Sequence, residues 1–176
     1  QLPEIHHYDT YVPMVAEVKS EASFDEASEK VLAALEPLGA EYVSVLGDGL
    51  RKNRWCDRYE NKGKRSGAFS SSSYGHPPYI LMNYKTEMLD SMFTLAHEAG
   101  HSMHTYYSAR NQPFQYYGYT IFVAEVASTF NEQLLNHHLM ARAKDKKHRA
   151  QLVCREIDEI RGTIIRQTMF AEFEKI

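Results

Sequence analysis

The sequence is poor in cysteine, and the two cysteines that it has are far apart. Cys56 and Cys154 lie 98 positions apart in a chain of 176 residues and form no CxxC pair. This excludes a disulfide-rich scaffold, because such folds depend on several cysteines in a short chain. We expect two reduced thiols in a reducing compartment, which favours a cytoplasmic location, and a single disulfide is the alternative.

Long apolar runs and a dominant charge are also missing. No run approaches the roughly 20 apolar residues that a membrane-spanning helix needs, and the first residues lack the basic start and apolar stretch of a signal peptide. Twenty basic and 23 acidic residues leave a formal net charge of −3. We therefore expect neither nucleic acid nor a membrane as a partner.

The content of hydrophobic and charged residues is ordinary, whereas the number of histidines is high. Hydrophobic residues make up 43% of the chain and charged residues 24%, which is typical of a globular domain. Histidine occurs nine times, and it is the commonest metal ligand in proteins. The composition therefore predicts one folded domain and draws attention to metal binding.

The second half of the sequence has the periodicity of long helices. Apolar residues recur at helical spacing at about 87–109, 120–141 and 146–175, with a loop at 110–119 that contains proline and tyrosines. These three segments predict a mostly helical domain of the α+β class.

The first half is predicted to contain shorter elements. Ser23 and Glu26 fit a capping box at the start of a helix, and a second short helix is expected at 40–46, with a break at the glycines of 47–49. The basic stretch 51–65 is expected to be a solvated loop or hairpin. Residues 66–84 predict a small β-sheet, and the first twenty residues an extended lead-in.

A pattern typical of zinc enzymes lies inside the first long helix. Residues 97–101 read HEAGH, which fits HExxH. His97 and His101 are four positions apart, so both imidazoles lie on one helix face and can reach one metal ion. Glu98 lies beside this face, where it can accept a proton from metal-bound water. His104 extends the histidine face, but we expect it to form a hydrogen bond near the helix end.

A catalytic zinc needs a third protein ligand and an open position for water. Glu125, 24 residues after His101, is the better candidate, and Glu132 on the same helix face is the rival. Two antiparallel helices joined by a short loop can bring such a carboxylate to the histidines. Ser128, Thr129 and Glu132 share the face of Glu125 and are predicted to orient the ligands.

Several stretches also resemble a known family. Residues 97–107 (HEAGHSMHTYY) and 119–132 (YTIFVAEVASTFNE) are similar to oligoendopeptidase F of the thimet-oligopeptidase family of zinc metallopeptidases. Supporting stretches are HHYDTYVP at 6–13, ENKGKRSGAFS at 60–70 and RQTMFAEFE at 166–174. The resemblance spans nearly the whole chain.

The resemblance implies a helical zincin-type catalytic core in which His97, His101 and Glu125 bind one Zn²⁺. It implies that Glu98 is the general base and proton shuttle of a metalloendopeptidase. The enzyme would be two-lobed, with a deep channel that admits short unfolded peptides as substrates.

The same resemblance implies that residues 1–176 are a partial catalytic domain whose other partner is the rest of its parent chain. Family members are much longer, and they carry downstream a tyrosine- and histidine-containing segment implicated in stabilising the oxyanion, which is not found here. The sequence begins with Gln1, and its helical pattern runs to Ile176 without a glycine or proline to end it. We therefore expect both ends to be truncated, which leaves the activity of the isolated fragment in question.

An extended peptide is predicted to pair with an edge of the sheet at 66–84. Residues 66–69 are the candidate edge, because the small Gly67 and Ala68 allow a close backbone approach. Two other classes of protein remain as alternatives: a non-catalytic zinc- or peptide-binding helical module, and a helical interaction domain whose histidines bind no metal. A structural zinc site would have four protein ligands.

Overall fold

The computed structural model describes residues 21–176 together with Glu4, His6, Asp9, Val12 and Val15. The predicted lead-in and much of the 6–13 stretch therefore lie outside the described residues. The chain divides into two compact units. One unit is Lys19–His138, and the other consists of Leu139–Ile176 with Gln1–Val18.

The described residues form six α-helices and a three-stranded sheet. A 3₁₀ turn at Glu36–Leu38 precedes the second helix, and a π-helical turn at Arg161–Ile165 joins the last two. The helices are α1 Phe24–Ala34, α2 Ala40–Arg51, α3 Leu89–Asn111, α4 Ile121–Ala141, α5 Lys146–Ile160 and α6 Arg166–Glu174, and the strands are β1 Cys56–Asp57, β2 Phe69–Ser71 and β3 Tyr79–Leu81. The expected α+β class, mostly helical with one small sheet, is confirmed.

The first helix starts at the predicted capping box. The Ser23 hydroxyl accepts the N–H of Glu26 at 3.3 Å, and the Glu26 carboxylate accepts the N–H of Ser23 at 2.8 Å. These hydrogen bonds from Ser23 hold the pKa of Glu26 below its usual value. The two partners thus satisfy N–H groups that a helix start otherwise leaves unpaired.

The predicted break of α2 at residues 47–49 is wrong, because the helix continues to Arg51. Gly49 serves packing rather than helix termination. A Cβ atom on Gly49 would lie 2.3 Å from the indole ring of Trp55, which is buried. The glycine therefore lets an aromatic ring lie directly on the helix backbone, at the cost of some helix propensity.

The sheet has the strand order β1-β3-β2. Strand β1 pairs with β3 in parallel, with Cys56 opposite Ile80, and β2 pairs with β3 antiparallel, with Ser70 opposite Ile80. The small sheet was predicted at 66–84, but β1 lies outside that range, in the basic stretch expected to be a solvated loop or hairpin. Of the candidate edge residues 66–69, only the last belongs to β2.

The two helices that matter for function, α3 and α4, follow the predicted segments to within two residues. They approach each other unusually closely at Gly100. A Cβ atom on Gly100 would lie 2.6 Å from the Cα of Ser128 and 2.7 Å from the carbonyl oxygen of Ala127. Glycine at this position therefore allows the backbones of α3 and α4 to touch, which turns the HExxH face of α3 toward α4.

In the second unit, α5, the π-helical turn and α6 form nearly continuous helix over the segment predicted as one helix at 146–175. Asp145 caps α5 by accepting the N–H of His148 at 2.8 Å. Over the part of the chain that the structure describes, none of the helices is both long and apolar enough to cross a bilayer. Both cysteines are free thiols, and burial raises the pKa of Cys56 to about 12.

Candidate metal centre

Three side chains from α3 and α4 meet in a compact triad. The Nε2 atoms of His97 and His101 lie 3.1 Å apart. One carboxylate oxygen of Glu125, Oε2, lies 3.4 Å from Nε2 of His97 and 3.7 Å from Nε2 of His101. Among the described residues this is the one group of three or more His, Cys, Asp and Glu side chains close enough to hold an ion.

The size of the triad fits zinc. Tetrahedral zinc with ligand distances of about 2.0–2.1 Å places its ligand atoms roughly 3.3–3.4 Å from one another. The separations of 3.1, 3.4 and 3.7 Å in the triad scatter around that value. The Glu125 side chain is 46% exposed, so the triad is open on one side, as a catalytic site requires.

The ring of His97 is oriented from behind by Glu132. The Nδ1 atom of His97 lies 2.7 Å from Oε1 of Glu132, which is buried. With Nδ1–H donating to this carboxylate, the lone pair of Nε2 points into the triad. Glu132 thus contacts the far side of the ring and lies outside the triad, which distinguishes it from Glu125.

The two histidines have opposite pKa shifts. Burial lowers the pKa of His97, but the hydrogen bond and charge of Glu132 outweigh this, and its pKa is raised. Burial and the neighbouring His97 lower the pKa of His101, whose ring also hydrogen-bonds to the backbone of Ala124. Both rings therefore have one nitrogen engaged by α4 and the other directed at Glu125.

Of the two hydroxyl residues predicted to orient the ligands, one contacts the carboxylate. The Ser128 hydroxyl donates to Oε2 of Glu125 at 2.9 Å, and Ser128 is fully buried. The Thr129 hydroxyl instead donates to the backbone carbonyl of Glu125 at 2.6 Å. Thr129 therefore follows the common helical pattern of bonding four residues back and does not reach the side chain.

Glu98 is buried next to the triad, and one of its oxygens is unsatisfied. Its carboxylate accepts the backbone N–H of Ser70 in β2, while Oε2 has no hydrogen-bond partner among the described residues. Burial raises the pKa of Glu98, although the nearby His97 and the Ser70 hydrogen bond oppose this shift. A buried carboxylate oxygen without a hydrogen-bond partner is energetically costly. Such an oxygen is typical of a general base that accepts a proton from a bound molecule.

The remaining predicted residues, His104, Gly67 and Ala68, also lie outside the triad. The ring of His104 stacks on that of Tyr119, with centroids 3.8 Å apart, and nothing in the described part of the chain hydrogen-bonds to its Nδ1. The hydrogen bond expected for His104 is therefore not seen at that atom. Gly67 and Ala68 line an open groove of about 480 Å³ whose walls include no triad residue.

Sequence reasoning missed Asn131, which connects three helices. Its side-chain amide donates to the backbone carbonyl of Ala96 on α3 at 3.1 Å and to the hydroxyl of Tyr42 on α2 at 3.1 Å. Burial raises the pKa of Tyr42 to about 12, so this hydroxyl stays protonated. The sequence offered one signal: Asn131 is a polar residue on a face of α4 that was expected to be buried. The role of Gly100 in the contact between α3 and α4 was also missed, although a glycine inside the HEAGH sequence was a sign of close packing.

An HExxH helix whose histidines meet a glutamate from the following helix is the ligand arrangement typical of zinc metallopeptidases. The family comparison agrees with this class. The model of peptidase family M3 matches residues 1–176, and the chain belongs to this family.

Individual relatives carry matching names. The chain is 53% identical over 172 residues to an oligoendopeptidase F homolog of Borreliella burgdorferi, and this match covers 98% of the chain and 29% of the relative. It is 50% identical over 176 residues to the oligopeptidase PepF of Bacillus subtilis, covering 100% of the chain and 26% of the relative. The resemblance seen in the sequence is thus confirmed.

Solved structures agree with the fold. A putative peptidase from Chlamydophila abortus matches with a TM-score of 0.86 at 43% identity, covering 99% of this chain and 29% of that one. The oligoendopeptidase F of Enterococcus faecium matches with a TM-score of 0.58 at 32% identity, covering 99% and 22%. The chain spans less than a third of the length of these relatives.

Proposed function

We propose that the chain is the zinc-binding core of a metalloendopeptidase that hydrolyses short oligopeptides. The observation that carries the proposal is the triad of His97, His101 and Glu125, with ligand atoms 3.1–3.7 Å apart and the buried carboxylate of Glu98 beside it. Membership of peptidase family M3 supports the reaction class. Relatives named as oligopeptidases support short peptides as substrates.

His97, His101 and Glu125 would hold the zinc ion. Bound there, zinc would act as a Lewis acid toward the scissile carbonyl and would lower the pKa of a water molecule toward neutrality. Glu132 and Ala124 fix the two imidazoles with Nε2 toward the ion. Ser128 fixes the carboxylate of Glu125. Contacts from α4 thus preorganise the side chains of His97, His101 and Glu125 for metal binding.

Glu98 would move the proton. Its free oxygen accepts a proton from the attacking water as the water oxygen bonds to the scissile carbon, and it then delivers that proton to the leaving amine. Burial raises the pKa of Glu98, which makes the carboxylate a better base than an exposed one. The raised pKa also keeps the proton available for the second transfer.

The peptide would bind as an added strand. Strand β2 is an edge of the three-stranded sheet, so a further strand could be added beside it. An extended peptide that pairs with β2 would lie beside Ser70, whose backbone contacts Glu98. This mode requires an unfolded backbone and therefore favours short peptides over folded proteins.

The parent protein would be longer than this chain. The relatives exceed it more than threefold in length. Helix α4 also has large apolar side chains on its outer side, at Phe122 (81% exposed), Val126 (59%) and Phe130 (53%). Since a large apolar patch on a surface is typical of a site that another part of the protein covers, we propose that the rest of a partial catalytic domain covers this side. The free thiols fit a cytoplasmic location.

A purely structural zinc site is less well supported. Such sites are normally closed by four protein ligands. The described residues supply three, and the Glu125 side chain is nearly half exposed. The arrangement therefore favours a site that leaves one position for water and substrate.

Replacement of the base tests the proposal. In the full-length enzyme, Glu98→Gln should retain one zinc per chain by elemental analysis, because Glu98 lies outside the triad. Cleavage of a quenched fluorescent peptide should fall by about 100-fold or more, the usual range for loss of a general base. Zinc-free wild-type protein, or undiminished cleavage by Glu98→Gln, would contradict the proposal.

A further inference from the structure

The hydrogen bonds of β3 determine which way the backbone of β2 points. The N–H of Ile80 donates to the carbonyl of Trp55 at 2.6 Å, and the N–H of Met82 donates to that of Asp57 at 2.9 Å. Ile80 in β3, and Met82 directly after it, therefore face β1. Because backbone groups alternate along a strand, Tyr79 and Leu81 face the other neighbour, which is β2.

Ser70 consequently points its backbone away from the sheet. Phe69 and Ser71 are the partners of Leu81 and Tyr79 in the antiparallel register. The residue between them directs its N–H and carbonyl to the free edge. It is this outward N–H of Ser70 that donates to the carboxylate of Glu98, so the proposed base is bound to the free edge of the sheet.

Ser70 makes a second contact with the same helix. Its hydroxyl lies 2.7 Å from that of Ser102, which is completely buried. Ser102 follows Glu98 by four residues, so the two lie one above the other on α3. One residue of the edge strand is therefore held by α3 at two points, through its backbone by Glu98 and through its side chain by Ser102.

We propose that Ser102, acting through Ser70, is a positioning residue for Glu98. The hydrogen bond between the Ser70 and Ser102 hydroxyls fixes the distance between β2 and α3. Only at this distance can the outward N–H of Ser70 donate to the carboxylate of Glu98. Without the pair, the strand can shift and Glu98 loses the donor that orients it. The inference rests on the proposed role of Glu98 as the base, and Ser102 itself contacts neither metal ligand atoms nor peptide in this account.

Kinetics of the full-length enzyme test the proposal. Ser102→Ala and Ser70→Ala should each lower kcat about 3- to 10-fold, the equivalent of one hydrogen bond. Zinc content should not change, because neither hydroxyl belongs to the triad. The double variant should be no worse than either single variant, since both remove the same contact. Ser70→Thr keeps the hydroxyl and should restore kcat.

Hydrogen exchange supplies a readout that does not depend on activity. In metal-free full-length protein, the Ser70 amide should exchange about 3- to 10-fold faster in Ser102→Ala than in the wild type, because its acceptor is no longer held in place. Ser28→Ala is the matched control: Ser28 is a buried helical serine whose hydroxyl bonds to the carbonyl of Phe24. It should leave both kcat and the Ser70 amide unchanged.

Two results would overturn the inference. One is wild-type kcat in Ser102→Ala, and the other is a reduced kcat with unchanged exchange of the Ser70 amide. If Glu98→Gln abolishes cleavage while either result is found, positioning by Ser102 fails and the proposed function stands. If Glu98→Gln cleaves normally, the proposed function fails first.

Discussion

Helices α1 and α4 bury opposite kinds of side chain. On α1 the buried positions are mainly apolar, with Val31 and Leu32 among them, as is usual for a helix on the surface of a domain. On α4 the buried set includes Ser128, Asn131 and Glu132, whereas large apolar side chains lie outside. Helix α4 thus has the reverse of the usual polarity: its inner face is polar and orients the proposed metal ligands, and its outer face is apolar.

This difference from α1 indicates that the two faces of α4 have different roles. Polar side chains are expensive to bury unless they are hydrogen-bonded, and those of the inner face bond to His97, Glu125 and the backbone of Ala96. The large side chains named on the outer face have no polar atoms to form such bonds, and this face resembles the side of a core helix. The following substitutions separate the contributions of the two faces.

The largest effect is expected from the proposed ligand on the inner face. Glu125→Ala should weaken zinc binding by more than about 100-fold in a competition titration with a chromophoric chelator. Glu132→Ala should weaken it by roughly 10–100-fold, the usual cost of losing a partner behind a ligand. If Glu132→Ala has the larger effect, the two glutamates have been assigned the wrong way round.

The outer face is tested by truncating a phenylalanine. In the full-length protein, Phe122→Ala should lower the free energy of unfolding by about 2 kcal/mol, the value of a buried side chain of this size. Chemical denaturation measures it. Tyr116→Ala is the control, since Tyr116 lies in the loop before α4 and outside its apolar face, and it should change stability by less than about 0.5 kcal/mol. An equally small effect of Phe122→Ala would mean that this face stays uncovered.

The contact between α3 and α4 is tested at Gly100. Gly100→Ala should destabilise the protein by about 1–3 kcal/mol, because the new methyl group would lie 2.6 Å from the Cα of Ser128. The same change should weaken zinc binding, since it moves Glu125 away from the histidines. Gly162→Ala adds a methyl group at a helical position where, among the described residues, no atom beyond its own turns of helix lies within 4 Å, and it should cost nothing. Equal thermal stability of the two variants would refute the close contact.

The smallest effect concerns the two hydroxyls next to Glu125. Ser128→Ala should weaken zinc binding by about 10-fold, because the carboxylate loses the donor that orients it. Thr129→Val should leave zinc affinity at the wild-type value, since its hydroxyl reaches only the backbone. Equal losses in both variants would show that helix stability, rather than orientation of the carboxylate, determines affinity.

Local patterns in the sequence were enough to predict much of the fold. Helices α3 and α4 follow from apolar spacing, and the capping box at Ser23 follows from two residues three positions apart. The break predicted in α2 failed because Gly49 serves a contact with Trp55 from outside the helix. Strand β1 has two residues and pairs with a partner 24 positions away, so no local pattern could reveal it.

The site divides in the same way. The pairing of His97 with His101 depends only on helical periodicity and could be predicted. Spacing favoured Glu125 over Glu132 but did not decide between them, because both lie on one face of α4 and their reach depends on how closely α4 approaches Gly100. The contacts of Ser70 with Glu98 and Ser102 connect a strand to a helix 28 and 32 positions later, and only the folded chain brings them together.

The most direct test is a crystal structure of the zinc-loaded full-length enzyme with an anomalous difference map at the zinc edge. We predict one peak about 2.0–2.1 Å from Nε2 of His97, Nε2 of His101 and a carboxylate oxygen of Glu125. Glu132 should remain on Nδ1 of His97. A peak bound by Glu132, or one closed by four protein ligands, would contradict the account.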